Sequence, residues 1–364
     1  MSQALINEVG NNKFQEEYKR NLLKQEIYKL FINNCKNIKY FYWKTEQPLF
    51  QYPGAIPFFS KLCALGINLQ LVTSTALFEM AQICQNVEDL DLHDCNGDIP
   101  GLIKFIDIQR NLQSLHLYFN NVEKQCIQLS DVIQRKAATL KKFTLAPTIT
   151  LLSPKFLPSL VNLQYLVLND ERYGVRNEIV EIEEWEKYLS ISSFPNLQYL
   201  ETANLPPPCK DYTLIEKSNG NILEIYIYRE CQDIIYTKKL LKMITKYCPK
   251  IERLTINVEP ENFDEIKEMF LNCKQLIKLH LSTHNGLFVC DSLLEIVAKY
   301  SPLTLREFSF DENWNFSVNG LQDFFESWKS RIPLKFSVYY NERSCFMEEH
   351  TNIVKKYRNE GIIR

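Results

Sequence analysis

Glycine is scarce in this chain, ten residues in 364, and none of the ten builds a phosphate-cradling loop or the G-x-S-x-G of a nucleophile elbow. No paired acid/base motif replaces them, so neither a catalytic site nor a cofactor is expected. The eleven cysteines are an odd number, and no two stand in a CxxC. That spacing argues against both a disulfide framework and a zinc module. No apolar run reaches the length of a membrane span, and Met1 to Arg20 has no apolar core of signal-peptide size. Charge of one sign is missing too. The 42 basic residues face 44 acidic ones, a formal charge of −2, which does not select nucleic acid by bulk charge. What remains is a chain 45% hydrophobic and 24% charged, expected to fold in a reducing compartment, cytoplasmic or nuclear. Its length would ordinarily mean two or three domains, unless the fold grows by stacking.

One stretch shows how it grows. In Cys84-Gln85-Asn86-Val87-Glu88-Asp89-Leu90-Asp91-Leu92-His93-Asp94-Cys95, the apolar skeleton is Val87, Leu90 and Leu92. The same three-anchor spacing recurs at Ile38-Phe41-Trp43, Leu62-Leu65-Ile67, Leu112-Leu115-Leu117, Leu140-Phe143-Leu145 and Leu163-Leu166-Leu168. It continues at Leu197-Leu200-Thr202, Ile222-Ile225-Ile227, Ile251-Leu254-Ile256, Leu276-Leu279-Leu281 and Leu305-Phe308-Phe310, and ends in a degenerate Pro333-Phe336-Val338. Successive first anchors stand 23 to 34 residues apart, with a mean of about 27. An L-x-x-L-x-L strand core at this period is how a leucine-rich repeat is written.

Between cores the apolar period turns helical, as in Ser74 to Cys84, Ile234 to Tyr247, Phe263 to Leu271, Asp291 to Tyr300 and Val318 to Trp328. Ser74 or Thr75 is the expected N-cap of the first of these. Strand and helix in alternation predict an α/β leucine-rich-repeat solenoid, a ribonuclease-inhibitor-like horseshoe or arc. Its parallel strands would line the concave face and its helices the convex face. The expected organisation is a disordered N-terminus at 1–11 and an N-terminal capping helix at 12–36. A solenoid of about twelve repeats follows at 37–345, then a C-terminal capping helix and tail at 346–364. The longest interval, after Leu163, holds Glu178, Glu181, Glu183, Glu184 and Glu186, read as a solvated helix face with a lengthened loop or, alternatively, as a basic partner's docking site. Leu205-Pro206-Pro207-Pro208 reads as a stiff loop within the array.

Cys35, Cys84, Cys248 and Cys273 each lie three residues before a first anchor. A recurring phase implies a recurring buried place, the turn from helix to strand, where a thiol acts as a small hydrophobe. His280 and His284 have the i, i+4 spacing that suits zinc on a helix, but His280 falls between Leu279 and Leu281 in a predicted strand. No metal site is expected.

Side chains alternate along a strand, so the three positions around the two inner anchors of each core point outward. Of these thirty-six positions eight are tyrosine: Tyr40, Tyr42, Tyr118, Tyr165, Tyr199, Tyr226, Tyr228 and Tyr339. About two would fall there by chance, and strand preference accounts for part of the excess. The remainder suits a protein-binding surface, because tyrosine joins contact area to a polar tip. The expected site on the concave face is Tyr40, Tyr42, Asp89, Asp91, His93, His116, Tyr118, Tyr165, Tyr199, Glu201, Tyr226, Tyr228, Arg253 and His280.

The Cys84-to-Cys95 stretch, with its Cys-x-x-apolar-x-x-Leu-x-Leu-x-x-Cys spacing, resembles the cysteine-containing leucine-rich repeats of F-box proteins. Blocks such as Cys35-Lys36-Asn37-Ile38-Lys39-Tyr40-Phe41-Tyr42-Trp43 are similar to the large F-box/leucine-rich-repeat expansions of some fungi. The resemblance covers about residues 20 to 364. It implies the substrate receptor of a cullin-type ubiquitin ligase, in which an N-terminal F-box binds the ligase adaptor and the repeats hold the target. An F-box opens with something like Leu-Pro-x-Glu, and residues 1–36 hold no such motif. The expected partners are therefore a protein target on the concave face and a cullin-ligase adaptor if an F-box exists upstream. Neither nucleic acid nor membrane is expected. The alternative is a repeat protein that regulates a GTPase or another enzyme through a positioned arginine, with Arg229 and Arg110 as candidates, or a target binder that recruits no ligase.

Overall fold

The computed structural model describes residues 19–35, 37–120, 124–170, 179–206, 209–229, 234–283, 289–311, 313–338 and 348–364. The predicted disordered segment at 1–11, the start of the predicted capping helix, Glu178, His284 and Tyr339 lie outside them.

The chain forms two compact units, Met1–Thr139 and Leu140–Arg364. The first begins with helix α1 (residues 19–34). It continues through β1 (Tyr40–Trp43), α2 (Ala55–Phe59), β2 (Ala64–Asn68) and α3 (Ser74–Ile83) to β3 (Asp89–Cys95), α4 (Pro100–Ile108), β4 (Ser114–Phe119) and α5 (Ile127–Lys136). Its strands pair in parallel in chain order, with anchors facing anchors: Leu65 opposite Leu90, and Leu90 opposite Leu115.

The second unit opens with β5 (Lys142–Ala146), β6 (Tyr165–Asn169), α6 (Ile179–Ile191), β7 (Tyr199–Ala203), α7 (Asp211–Glu216), β8 (Glu224–Tyr228) and α8 (Ile234–Tyr247). It closes with β9 (Arg253–Asn257), α9 (Phe263–Asn272), β10 (Lys278–Ser282), α10 (Asp291–Tyr300), β11 (Glu307–Phe310), α11 (Val318–Trp328), β12 (Lys335–Val338) and α12 (Glu348–Asn359). These strands are again parallel and in chain order.

The physical repeat is visible in the backbone. At the entrance of most strands one carbonyl accepts two N–H groups from the next repeat. Cys63 O takes Glu88 N and Asp89 N, Glu88 O takes Gln113 N and Ser114 N, and Leu223 O takes Glu252 N and Arg253 N. The inner anchors from Leu65 to Leu166 are buried, as are both leucine anchors of β10, so each strand turns one face to the helices and leaves the other open. Neighbouring repeats also cap one another's helices. The Asp98 carboxylate accepts from the backbone N–H groups of Ile127, Gln128 and Leu129 at 2.8–3.0 Å, and so satisfies the first turn of α5.

Four details differ from the sequence reading. The N-cap of α3 is Thr73, whose hydroxyl accepts from Ala76 N at 3.2 Å. The Ser74 hydroxyl reaches out instead and accepts from Gly101 N in α4. Between β5 and β6 there are only 3-10 turns, Ile149–Leu151 and Pro154–Ser159. Pro154 and Pro158 have no N–H to give an α-helix there, and Trp185 of α6 covers the gap by donating its ring N–H to Leu152 O at 2.9 Å. Finally, the first anchor of the last repeat is Leu334, fully buried, while Pro333 is exposed. Leu334 N donates to Ile362 O, which proline could not do. Gly361, at φ +73°, turns the chain after α12 so that Ile363 meets Leu334.

Candidate protein-binding surface

On the open face of the first unit, Tyr42 leaves β1 and lies across β2. The space for its ring is made by Gly66, where an added Cβ would come within 2.4 Å of Tyr42 Cδ2. The ring then meets His93 of β3 edge-on at 5.7 Å, and His93 stacks on Tyr118 of β4 at 4.9 Å with planes 6° apart. An aromatic row therefore crosses the face from β1 to β4. Beside it, His93 Nε2 lies 3.1 Å from Asp91 Oδ2 and His116 Nε2 3.7 Å from Asp89 Oδ1. Tyr40 stands exposed at the edge. Burial, with Asp91 and Asp94 close by, pushes the Tyr42 phenol up from its ordinary range, so it remains a hydrogen-bond donor.

The second unit carries its own row. Tyr165 stacks on Tyr199 at 3.9 Å, and Tyr199 leans on Tyr226 at 5.3 Å. Tyr199 donates to Glu201 Oε2 at 2.6 Å and Tyr226 to Glu224 Oε2 at 3.3 Å. Burial raises both phenols, and the carboxylates beside them add to it. Charges here are matched across strands: Arg253 with Glu224 at 2.7 Å, and Lys278 and Lys335 with Glu307 at 3.0 and 3.2 Å. Burial alone would lift Glu307, but its hydrogen bonds to the two lysines hold its carboxyl below the usual range. His280 sits in β10 with Nδ1 2.9 Å from Ser309 Oγ, and burial, with Lys278 close by, lowers its basicity. Tyr228 is exposed. Thus every expected site residue lies on an open strand face, seven in each unit.

Two contributors escaped the sequence reading. Asp94 lies where the register between β3 and β4 shifts, at φ +56°, and its carboxylate accepts from the amides of Asn68 and Asn120. Gly66 is the other. An outward glycine beside an outward tyrosine of the preceding repeat was the available signal.

Arg229 is held inside. Its guanidinium pairs with the buried Asp211 at 3.1 Å and lies 4.2 Å over the Tyr236 ring, whose hydroxyl also bonds Asp211. Arg110 is exposed. Among the described residues no cluster of three or more metal-ligating side chains occurs, and no helix is long and apolar enough to cross a membrane.

The cysteines of the repeating phase sit where helices end. Cys84 and Cys273 are the C-caps of α3 and α9, and Cys248 N donates to Ile244 O at the end of α8. Cys84, Cys248 and Cys273 are buried, and Cys35 is half-buried. Burial pushes the thiol of Cys84 up to about 12 and that of Cys273 up to about 11. A thiol held that high carries almost no thiolate at pH 8 and reacts slowly. Mass spectrometry after brief iodoacetamide treatment of the native protein at pH 8 should find label on the more accessible Cys63 and little on Cys84 or Cys273. Equal labelling would show that the helix-to-strand turns open readily.

Parallel strands, one per repeat, with helices or turns returning on one side, make the chain an α/β leucine-rich-repeat solenoid. No protein-family model and no curated protein matches it. Among solved structures, it is similar to the leucine-rich-repeat protein LegL7 from Legionella pneumophila, with 13% identity and a TM-score of 0.42 over 88% of this chain and 98% of that one. It is also similar to a chain of the Rad7–Elc1 complex of yeast, with 14% identity and a TM-score of 0.41 over 96% of each.

Proposed function

We propose that the chain is a protein-interaction scaffold that holds a protein target on the open strand faces of its repeats. The observation that carries this is the pair of aromatic rows, Tyr42–His93–Tyr118 and Tyr165–Tyr199–Tyr226. Rings already stacked in place lose little freedom when a partner covers them, and half-exposed tyrosines supply area and hydrogen bonds together. In its finer form the proposal makes the chain the substrate-recognition part of an F-box-type ubiquitin-ligase receptor. Its support is the resemblance of the Cys84-to-Cys95 stretch to the repeats of that family.

The test is a photo-crosslinking amino acid placed singly at Tyr118, Tyr228 or, on the helix side, Ile235, which is 77% exposed. Adducts formed in cells are then identified by mass spectrometry. The expected result is a shared adduct from the two tyrosine positions, with a cullin adaptor in the same purified complex. Adducts from Ile235 alone would overturn the open-face reading. A shared adduct with no cullin adaptor would keep the scaffold and remove the ligase role.

A further inference from the structure

The two open faces differ in how their charges are satisfied. In the second unit the outward cations Lys142, Arg253, Lys278 and Lys335 balance Glu201, Glu224, Glu307 and Asp311 in number, and three of them pair with carboxylates on adjacent strands. In the first unit the outward positions of β1 to β4 carry one cation, Lys44, against Asp89 and Asp91. Asp94 adds a third carboxylate, whose partners are the neutral amides of Asn68 and Asn120. The contacts of Asp89 and Asp91 are imidazoles; the Asp89 side chain is 53% exposed and that of Asp91 35%, although Asp91 Oδ1 itself is buried without a donor among the described residues. Across this negative strand runs the row Tyr42–His93–Tyr118.

An aromatic face beside carboxylates that pair with no lysine or arginine among the described residues is the setting that favours a cationic side chain: the carboxylates attract its charge and the rings accept its alkyl stem or guanidinium plane. We propose that the open face of the first unit docks a segment of the target that carries lysine or arginine side chains, with the cations at Asp89 and Asp91 and their stems against Tyr42 and Tyr118. This rests on the open-face reading above and assigns its partner's chemistry. Charge complementarity of this kind selects partners and speeds encounter.

The experiment uses the full chain and an immobilised set of short synthetic peptides, matched in length and apolar content. Their charged positions are filled with Lys/Arg, with Ser/Gln or with Asp/Glu. The Lys/Arg set should bind best, and added NaCl should weaken it. The doubly substituted protein Asp89→Asn/Asp91→Asn should bind that set at least about tenfold more weakly, while Glu295→Gln, exposed on α10 of the second unit, should leave it unchanged. Asparagine keeps the shape and one acceptor oxygen of each aspartate, and a circular-dichroism melt matching that of the unsubstituted protein confirms the fold. Preference for neutral or acidic peptides, or undiminished binding by the double variant, overturns the basic-partner proposal. If instead Lys239→Ala/Lys246→Ala on α8 abolishes binding and no open-face change does, the open-face reading itself fails.

Discussion

Leu254→Ala should destabilise the protein by about 2–5 kcal/mol, measured as the shift of the urea unfolding curve followed by circular dichroism. Leu254 is fully buried in β9, in register with Ile225 of β8 and Leu279 of β10, which are themselves fully buried. Removing its terminal isopropyl group therefore strips contact from the repeats on both sides. In a stacked fold, stability is a sum of repeat and neighbour-interface terms, so a single central leucine enters two interfaces. The comparison that gives the number meaning is with the strand's other face. Tyr228 is 47% exposed, and its change to Ser should stay within about 0.5 kcal/mol. Tyr226→Ser removes the ring contact to Tyr199 and the hydrogen bond to Glu224, a loss of about 1 kcal/mol. Should the two tyrosine changes together cost as much as Leu254→Ala, the face assigned to partners is part of the core.

The same contrast explains what could be read before the structure. Burial favours apolar side chains at fixed phases, with Thr202 an exception among the inner anchors, so the three-anchor spacing located every strand of the described residues, and period-two alternation put fourteen candidate residues at outward positions. Features that depend on a neighbouring repeat were not legible. Thr73, Ser74 and Thr75 are chemically alike as caps. The choice of Thr73 follows from Ser74 being occupied with Gly101 of the next helix. Asp94 itself holds a left-handed backbone position where the strand alternation breaks, so no periodic rule reaches it. The absent helix between β5 and β6 was legible in Pro154 and Pro158, which have no N–H to give one. Leu334 replaced Pro333 because its N–H donates to Ile362 O, far along the sequence in the segment after α12.

Gly101→Ala should also destabilise, by about 2–4 kcal/mol, although helix propensity argues the other way. Alanine in place of glycine inside a helix ordinarily gains about 1 kcal/mol. Here a Cβ on Gly101 would lie 2.1 Å from the carbonyl oxygen of Ser74 and 2.9 Å from its hydroxyl. Backbone, not a flexible tip, stands in the way, so α3 and α4 must separate and the 2.8 Å bond from Gly101 N to Ser74 Oγ must lengthen. That separation strips packing from Leu77 and Met80 on one helix and from Leu102 and Phe105 on the other, all fully buried. The steric and hydrogen-bond losses exceed the propensity gain, and thermal melting monitored at 222 nm should fall. A rise in melting temperature would mean that propensity wins and that the two helices do not approach so closely. β3 and β4 are hydrogen-bonded to each other and hold His93 against Tyr118 independently of the helices, so Gly101→Ala should lower stability while the folded protein binds the lysine- and arginine-bearing peptides as before.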